Sequence, residues 1–365
     1  MKYFALGGTL LLLMTCVDPV TPAFNIRDGF LLIEGQVIDQ PGLSEVRVSQ
    51  SELLFGNYTL VPIQGATVSS IDSQGEEVNW TLIPTTNRYQ PPANFVGQTG
   101  ETYYIRVVTP DGQIVESTPE RMPNAVPIQN AEVRFEQEAY FSDGRNRFIP
   151  AFRLLVDFED PANEQNYYQW KFRSWEFLDV CARCERSVWR EGECISTPDS
   201  RFVPRYDYLC DAPCWTTSRS SQINILSDEF SQGQRIENIE AGRVDFDWPG
   251  GLLLEVQQLS TTKAQFEYNQ VLENLAEGSG GLNATLPAAL IGNLQEVSDS
   301  GINALGFVGA ASVAVERIYF DRDTVDGQPL PFDASIRLEP LLPSPPVAPC
   351  EGINRSRIRP VGWPE

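Results

Sequence analysis

The chain has 365 residues, of which 42% are apolar, a formal net charge of −22 and no histidine. This length allows two domains, each with a sizeable hydrophobic core. The negative charge argues against a nucleic-acid partner, because phosphate contacts require Lys and Arg. The absence of histidine excludes Ser-His-Asp and Cys-His catalysis, and it excludes histidine-ligated metal and haem sites.

The start of the chain has the pattern of a bacterial export signal that ends at a cysteine. Lys2 supplies a positive charge, and residues 4–14 form an uncharged, mostly apolar run that is too short to span a bilayer. Leu13-Met14-Thr15-Cys16 resembles a lipobox, in which the cysteine is acylated and becomes the first mature residue. We predict a signal peptide at 1–15, a lipid anchor at Cys16 and a tether over 16–28. The alternative is an ordinary signal peptide followed by an unmodified cysteine.

Residues 29–122 have the pattern of a small antiparallel β-sandwich. Leu31, Ile33 and Val37 fall on one face of a first strand, and further short alternating runs follow at regular intervals. Asp111-Gly112 is typical of a hairpin turn. Three prolines between residues 119 and 127 predict a domain boundary.

Residues 128–350 predict a larger β-rich domain that contains one helix. Apolar residues alternate with polar ones in two segments; these apolar residues are Phe152, Leu154, Val156 and Phe158, then Tyr168, Trp170 and Phe172. A helix is predicted over 263–277, because Ala264, Tyr268, Val271, Leu272 and Leu275 recur at helical spacing. Thr262 and Gln265 fit a capping box at its start. Residues 351–365 form a C-terminal tail with three arginines.

A cysteine-rich insertion spans residues 180–216. Six cysteines remain after Cys16, and five of them lie in this insertion; the six are Cys181, Cys184, Cys194, Cys210, Cys214 and Cys350. An even number in an exported chain predicts three disulfide bonds, although the spacing does not choose among the fifteen possible pairings. A four-thiolate zinc site is the alternative.

Two functions are open for the insertion. The disulfides either hold a segment that has little core of its own, or present a rigid recognition loop. In the second case, four aromatic residues are possible partner contacts, since aromatics anchor interfaces; these are Trp189, Tyr206, Tyr208 and Trp215. They could equally fill the space beneath the loop.

The sequence contains no complete catalytic motif, so we predict no enzyme, no cofactor and no metal. Asp321, Asp323 and Asp326 cluster before a glycine, but the bidentate Glu of a calcium loop is missing, and a plain turn is the simpler interpretation. Among 49 acidic residues, a carboxylate pair for glycoside hydrolysis can arise by chance.

Several short stretches, in order along the chain, resemble a family of outer-membrane lipoproteins described only as the domain-of-unknown-function 4249 family. These stretches are Leu31-Leu-Ile-Glu-Gly35, Pro62-Ile-Gln-Gly-Ala-Thr-Val68, Gly100-Glu-Thr-Tyr103, Asn166-Tyr-Tyr168, Cys214-Trp215, Leu259-Ser-Thr-Thr262, Gly292-Asn293, Leu305-Gly-Phe307 and Pro360-Val-Gly-Trp363. The first domain also resembles carboxypeptidase-regulatory-like and immunoglobulin-like sandwiches.

The resemblance implies a lipid-anchored outer-membrane protein that faces the cell exterior. It implies a non-catalytic accessory or binding subunit of a TonB-dependent transporter, with that β-barrel as its partner. One alternative is a structural subunit of an outer-membrane assembly or secretion complex. A carboxylate-dependent surface glycan hydrolase is a further alternative, and it predicts an open acidic cleft lined with aromatic residues.

Overall fold

The computed structural model describes residues 29–54, 57–84, 86–196, 205–220, 222–278, 292–298, 301, 303–331, 336–340 and 344–365. The described chain is mainly β, as predicted, with 22 strands, one α-helix and one short 3₁₀ helix. The signal, Cys16 and the tether lie outside the described residues. The sandwich assignment of the first part stays a prediction.

Nine strands form in the first part of the chain. They are β1 (Leu31–Ile38), β2 (Glu45–Leu54), β3 (Asn57–Pro62), β4 (Thr67–Asp72), β5 (Glu77–Leu82), β6 (Arg88–Gln90), β7 (Thr102–Val108), β8 (Ile114–Ser117) and β9 (Glu120–Arg121). Alternate residues of β1, β2, β4 and β7 point into one core, because successive side chains of a strand face opposite sides. Leu31, Ile33 and Val37 are in this core, as their spacing predicts.

Thirteen strands follow. They are β10 (Ile128–Ser142), β11 (Arg147–Glu159), β12 (Tyr167–Cys184), β13 (Ser187–Arg190), β14 (Glu193–Ser196), β15 (Tyr206–Arg219), β16 (Asn224–Ser227), β17 (Arg235–Asp245), β18 (Gly251–Thr261), β19 (Leu294–Glu296), β20 (Ala304–Leu305), β21 (Val308–Asp321) and β22 (Arg355–Ser356). The 3₁₀ helix covers Arg322–Thr324.

A second core lies between two sheets. Strands β10, β11 and β17 form a three-stranded sheet. The apolar faces of β11, β12 and β18 meet in this core, and they include both alternating sets that the sequence predicts except Phe152. Phe152 is also buried, and its ring lies 4.9 Å from that of Phe320. The rings of Phe158 and Tyr168 are 4.7 Å apart, so the two sheets interlock through aromatic contacts.

Strand β21 connects the first core to the second. Its first four residues pair with β1 in parallel, and residues 312–321 pair with β18 in antiparallel register. Strand β19 also pairs with β8, so residues after 290 contribute to the first core. The predicted boundary between 122 and 128 stays a prediction; strands from both sides of it belong to the same 17-stranded sheet.

The connected strands form one continuous ladder from β1 to the end of β12. Strands β1, β21 and β12 run in one direction, because β18 is antiparallel to both β21 and β12. At one end of the ladder, Leu31 pairs with Ala304. Further along, Leu252 of β18 pairs with both Glu176 and Phe320, so these two residues lie at the same level. Cys184 lies eight residues beyond Glu176. At roughly 3.3 Å per residue, this strand ladder follows a path of about 80 Å.

Helix α1 (Lys263–Gly278) confirms the predicted helix. Thr262 Oγ1 accepts a hydrogen bond from Gln265 N at 3.2 Å, which is half of the predicted capping box. The Gln265 side chain instead donates to Asn269 Oδ1 at 3.2 Å. Among the described residues, no helix has the length and apolar character that crossing a bilayer requires.

Candidate functional site

The cysteine-rich insertion forms the distal half of a long hairpin made by β12 and β15. Three disulfides hold it, which confirms the prediction of disulfide bonds; the pairs are Cys181–Cys210, Cys184–Cys194 and Cys214–Cys350. The first crosslinks the two strands of the hairpin, the second joins the small β13–β14 hairpin to β12, and the third attaches the C-terminal segment to β15. We call this unit the crosslinked hairpin.

Two of the disulfides pack against each other. The sulfur atoms of Cys181, Cys214 and Cys350 lie within 4.8 Å of one another and are buried. Within the described residues, this is the one cysteine or carboxylate group with metal-like spacing. All six sulfurs are bonded in pairs, so the zinc alternative has no free thiolates to use.

Three of the four predicted contact aromatics pack on this cysteine cluster; these are Trp189, Tyr206 and Tyr208. Tyr208 is fully buried, and its hydroxyl donates to Glu339 Oε2 at 2.8 Å. Trp215 is buried against Phe177 and Trp363. The Tyr208 and Trp215 rings are therefore packed inside the protein. The sequence analysis gave such packing as the alternative to partner contact. Trp189 and Tyr206 are half-buried, and their role as partner contacts stays a prediction.

A salt bridge ties the neighbouring segment to the hairpin. Arg190 donates to both carboxylate oxygens of Glu339, at 3.0 and 2.8 Å. The hydrogen bond from Arg190 lowers the pKa of Glu339, so this carboxylate stays charged. Burial raises the pKa of Tyr208, which keeps its hydroxyl protonated as a donor to Glu339.

An open groove of about 670 Å³ runs along the base of the crosslinked hairpin, between β12 and the loop 247–250. Its exposed apolar surface comes from Phe177, Trp248 and Ile336. Five carboxylates also line it; these are Glu176, Asp179, Asp207, Asp247 and Asp323. We call it the hairpin groove. Its size is within the range of ligand pockets, about 300–1,000 Å³.

Buried Arg322 holds one wall of the hairpin groove. Its Nη1 pairs with Glu176 Oε1 at 2.5 Å, and its other nitrogens donate to the carbonyls of Pro249 and Gly250. Asp323 Oδ1 accepts a hydrogen bond from Gly250 N at 3.2 Å. The loop is therefore fixed by contacts from the 3₁₀ helix, and the groove is preformed.

The groove carboxylates divide into two groups. Glu176 and Asp207 are paired with arginines, and Asp323 is bonded to backbone. Asp179 and Asp247 are exposed and form no hydrogen bond or ion pair with the described residues. These two carboxylates are free to meet a ligand.

The acidic cluster at Asp321 forms a turn in the structure. Asp321 Oδ1 accepts a hydrogen bond from Asp323 N at 3.0 Å and caps the 3₁₀ helix. The carboxylates thus serve local backbone and the groove wall. Sequence reasoning missed Trp248 and Arg322 as groove residues; a tryptophan in the polar Asp247-Trp248-Pro249-Gly250 turn was the available signal.

Comparisons with known proteins identify one family. A family model described as Domain of unknown function (DUF4249) matches residues 17–317. This match covers most of the chain and confirms the resemblance found in the sequence. No curated protein sequence matches the chain significantly.

Proposed function

We propose that this chain, which belongs to the DUF4249 family, is a lipid-anchored outer-membrane protein exposed on the cell surface. It acts there as a non-catalytic binding subunit of a TonB-dependent transporter. Cys16 carries the lipid, and the hairpin groove binds the transporter barrel or its cargo. One observation carries the proposal. The groove lies toward one end of the strand ladder, whereas Gly29, the described residue nearest the predicted anchor, lies at the other end.

Gly29, the first described residue, and the groove are far apart along the ladder. Gly29 donates its backbone N–H to Ser51 O, beside the start of β1. The crosslinked hairpin lies at the other end, after a path of about 80 Å along the strands. A chain anchored through residues 16–28 would therefore present its groove on the side away from the anchor, toward the outer loops of a neighbouring barrel.

Exposed apolar side chains near Gly29 support the proposal that this end of the molecule faces the membrane. Leu53, Leu54 and Leu60 on the β2–β3 hairpin are each between 44% and 49% exposed. Leu54 points to the face opposite Leu53, so the hairpin presents apolar side chains on both faces. Because one acyl chain alone gives marginal attachment, added apolar contact would strengthen the anchor.

The test is affinity purification of the tagged full-length protein from native outer membranes in mild detergent. We expect a TonB-dependent barrel in stoichiometric amount, identified by mass spectrometry. Ile336→Asp, in the hairpin groove, should reduce recovery of the barrel at least tenfold. Phe230→Asp is the matched control, because Phe230 is 90% exposed outside the groove and should leave recovery unchanged.

Other outcomes contradict the proposal in different ways. Recovery of a multi-subunit assembly or secretion complex would favour the structural alternative. Recovery of the protein alone would contradict both. Cys16→Ser should abolish incorporation of labelled palmitate; incorporation that persists would refute the anchor without bearing on the groove.

A glycan hydrolase is a second candidate, favoured by the unpaired Asp179 and Asp247 beside Phe177 and Trp248. It requires one carboxyl to act as an acid and the other as a base or nucleophile. In a screen of surface glycans, hydrolysis that is lost in both Asp179→Asn and Asp247→Asn would favour this function over the transporter role. Equal rates in the variants and the wild-type protein would refute it.

A further inference from the structure

A second cavity, separate from the hairpin groove, lies where the two cores meet. It has a volume of about 450 Å³, and residues of β1, β2, β12, β15, β18 and helix α1 line it. Six amide side chains line it; these are Gln36, Gln90, Gln169, Gln222, Gln257 and Asn269. Such a dense set of amides provides many donors and acceptors for a polar ligand.

The cavity is also cationic in a strongly acidic protein. Its lining includes four basic side chains (Arg47, Lys171, Arg173 and Arg219) and two acidic ones (Glu34 and Glu45). Arg47 pairs with Glu45 at 3.1 Å, and Arg173 is held by buried Glu255 from behind. Lys171 and Arg219 form no ion pair with any described residue, so two positive charges remain available.

The charged side chain of Lys171 lies in the cavity, where its burial destabilises the folded state. Its Nζ donates to Gln36 Oε1 at 2.5 Å, and Gln36 in turn donates to Gln169 Oε1 at 3.4 Å. Burial and the nearby charge of Arg47 lower the pKa of Lys171 to about 8. An ammonium in this position is stabilised by an anion that enters the cavity.

A buried amide of helix α1 that also lines the cavity lacks a partner. Asn269 on helix α1 is only 5% exposed and lines the cavity, and its Nδ2 has no hydrogen-bond partner. Its Oδ1 is already used by Gln265. A buried donor left unpaired destabilises the folded protein, and a ligand acceptor would remove that penalty.

We propose that this cavity binds a small polar molecule that carries an oxyanion. The oxyanion contacts Lys171 and Arg219, and the rest of the molecule accepts and donates hydrogen bonds among the amides, including Asn269 Nδ2. The oxyanion is a carboxylate or a phosphate, because cationic side chains form charge-assisted hydrogen bonds with both. This site does not depend on the lipid anchor or on the hairpin groove.

The low lysine content makes a direct test possible. The chain has three lysines, Lys2, Lys171 and Lys263, so lysine-only ¹³C labelling of the full-length protein yields few side-chain signals. The probes are succinate and inorganic phosphate, with a neutral polyol of similar size and sodium chloride of equal ionic strength as controls. The readouts are the Lys171 Cε titration and the thermal unfolding midpoint.

We expect saturating succinate or phosphate to raise the apparent pKa of Lys171 by one unit or more, which means at least tenfold tighter binding to the protonated form. Whichever probe gives the larger change identifies the class of oxyanion. The exposed Lys263 serves as an internal reference and should not respond.

Two variants keep the test independent of folding. Asn269→Ala should weaken the probe response several-fold while preserving the helix, because Ala is a strong helix former. Lys171→Met should abolish the rise in unfolding temperature caused by the probe, and Lys263→Met should retain it. If neither probe changes Lys171 or the unfolding midpoint beyond the sodium chloride control, or if the neutral polyol acts equally, the proposal is overturned.

Discussion

Replacing Lys171 with methionine should stabilise the protein near neutral pH. The folded chain holds this ammonium in a cavity, where its pKa falls from the ordinary 10.5 to about 8. One pKa unit corresponds to about 1.36 kcal/mol, so the charge costs about 3 kcal/mol at pH 7. Methionine is one heavy atom shorter than lysine and carries no charge, so it removes that cost.

The direction of the pH dependence follows from proton binding. Below pH 8 both the folded and unfolded states hold the proton, and the full cost applies. Between pH 8 and 10.5 the folded state loses the proton while the unfolded chain keeps it, so the free energy of unfolding rises with pH. Arg47 lowers the pKa of Lys171, whereas Glu34 and Glu45 raise it, and their contributions are included in the value of about 8.

The assay is urea unfolding of the wild-type protein and Lys171→Met with disulfides intact, at pH 7 and pH 9.5. The stability difference between them should shrink by about 2 kcal/mol over this interval. Comparing the two proteins cancels the titration of other groups and any fixed packing change. Lys263→Met is the control, because Lys263 is exposed. An unchanged difference at the two pH values would refute the buried-charge argument.

Three further predictions concern the interior of the fold. The double variant Cys214→Ser/Cys350→Ser should lose about 5 kcal/mol of unfolding free energy, since this disulfide closes a loop with a sequence separation of 136, and non-reducing urea unfolding measures the loss. Glu255→Gln should cost about 3 kcal/mol or more, because it leaves Arg173 facing a neutral partner in a buried site; a normal unfolding midpoint would contradict this. Tyr208→Phe should cost about 2 kcal/mol in unfolding experiments yet leave co-purification of a partner unchanged, because its ring is buried.

The spacing of apolar residues in the sequence predicted individual strands and the helix, because each of these patterns lies within one short segment. The alternation at Leu154 to Phe158 and at Tyr168 to Phe172 gave strands that face one core, because the period of two is a property of the strand itself. The helix at 263–277 followed from its apolar spacing and its cap at Thr262. The even cysteine count predicted disulfides, because disulfide formation in an exported chain can be inferred from composition and compartment alone.

The candidate sites depended on contacts between residues distant in the chain. The hairpin groove requires Arg322 to hold a loop 72 residues earlier, and the cavity brings Lys171 to Gln36 across a separation of 135 residues. No local pattern encodes such pairs. In the sequence, Lys171 is one polar position in an alternating strand. Its partner Gln36 is identified only by the tertiary structure, which brings β1 close to β12.

The sequence by itself determined that this is a mainly β, disulfide-bonded chain of the DUF4249 family, because periodicity, composition and short family stretches are carried by neighbouring residues. Only the tertiary structure decided the disulfide pairing, the burial of Tyr208 and Trp215, and the two sites. Those features depend on the register of strands that are far apart in the chain, and that register is set by how the two cores pack rather than by any single segment.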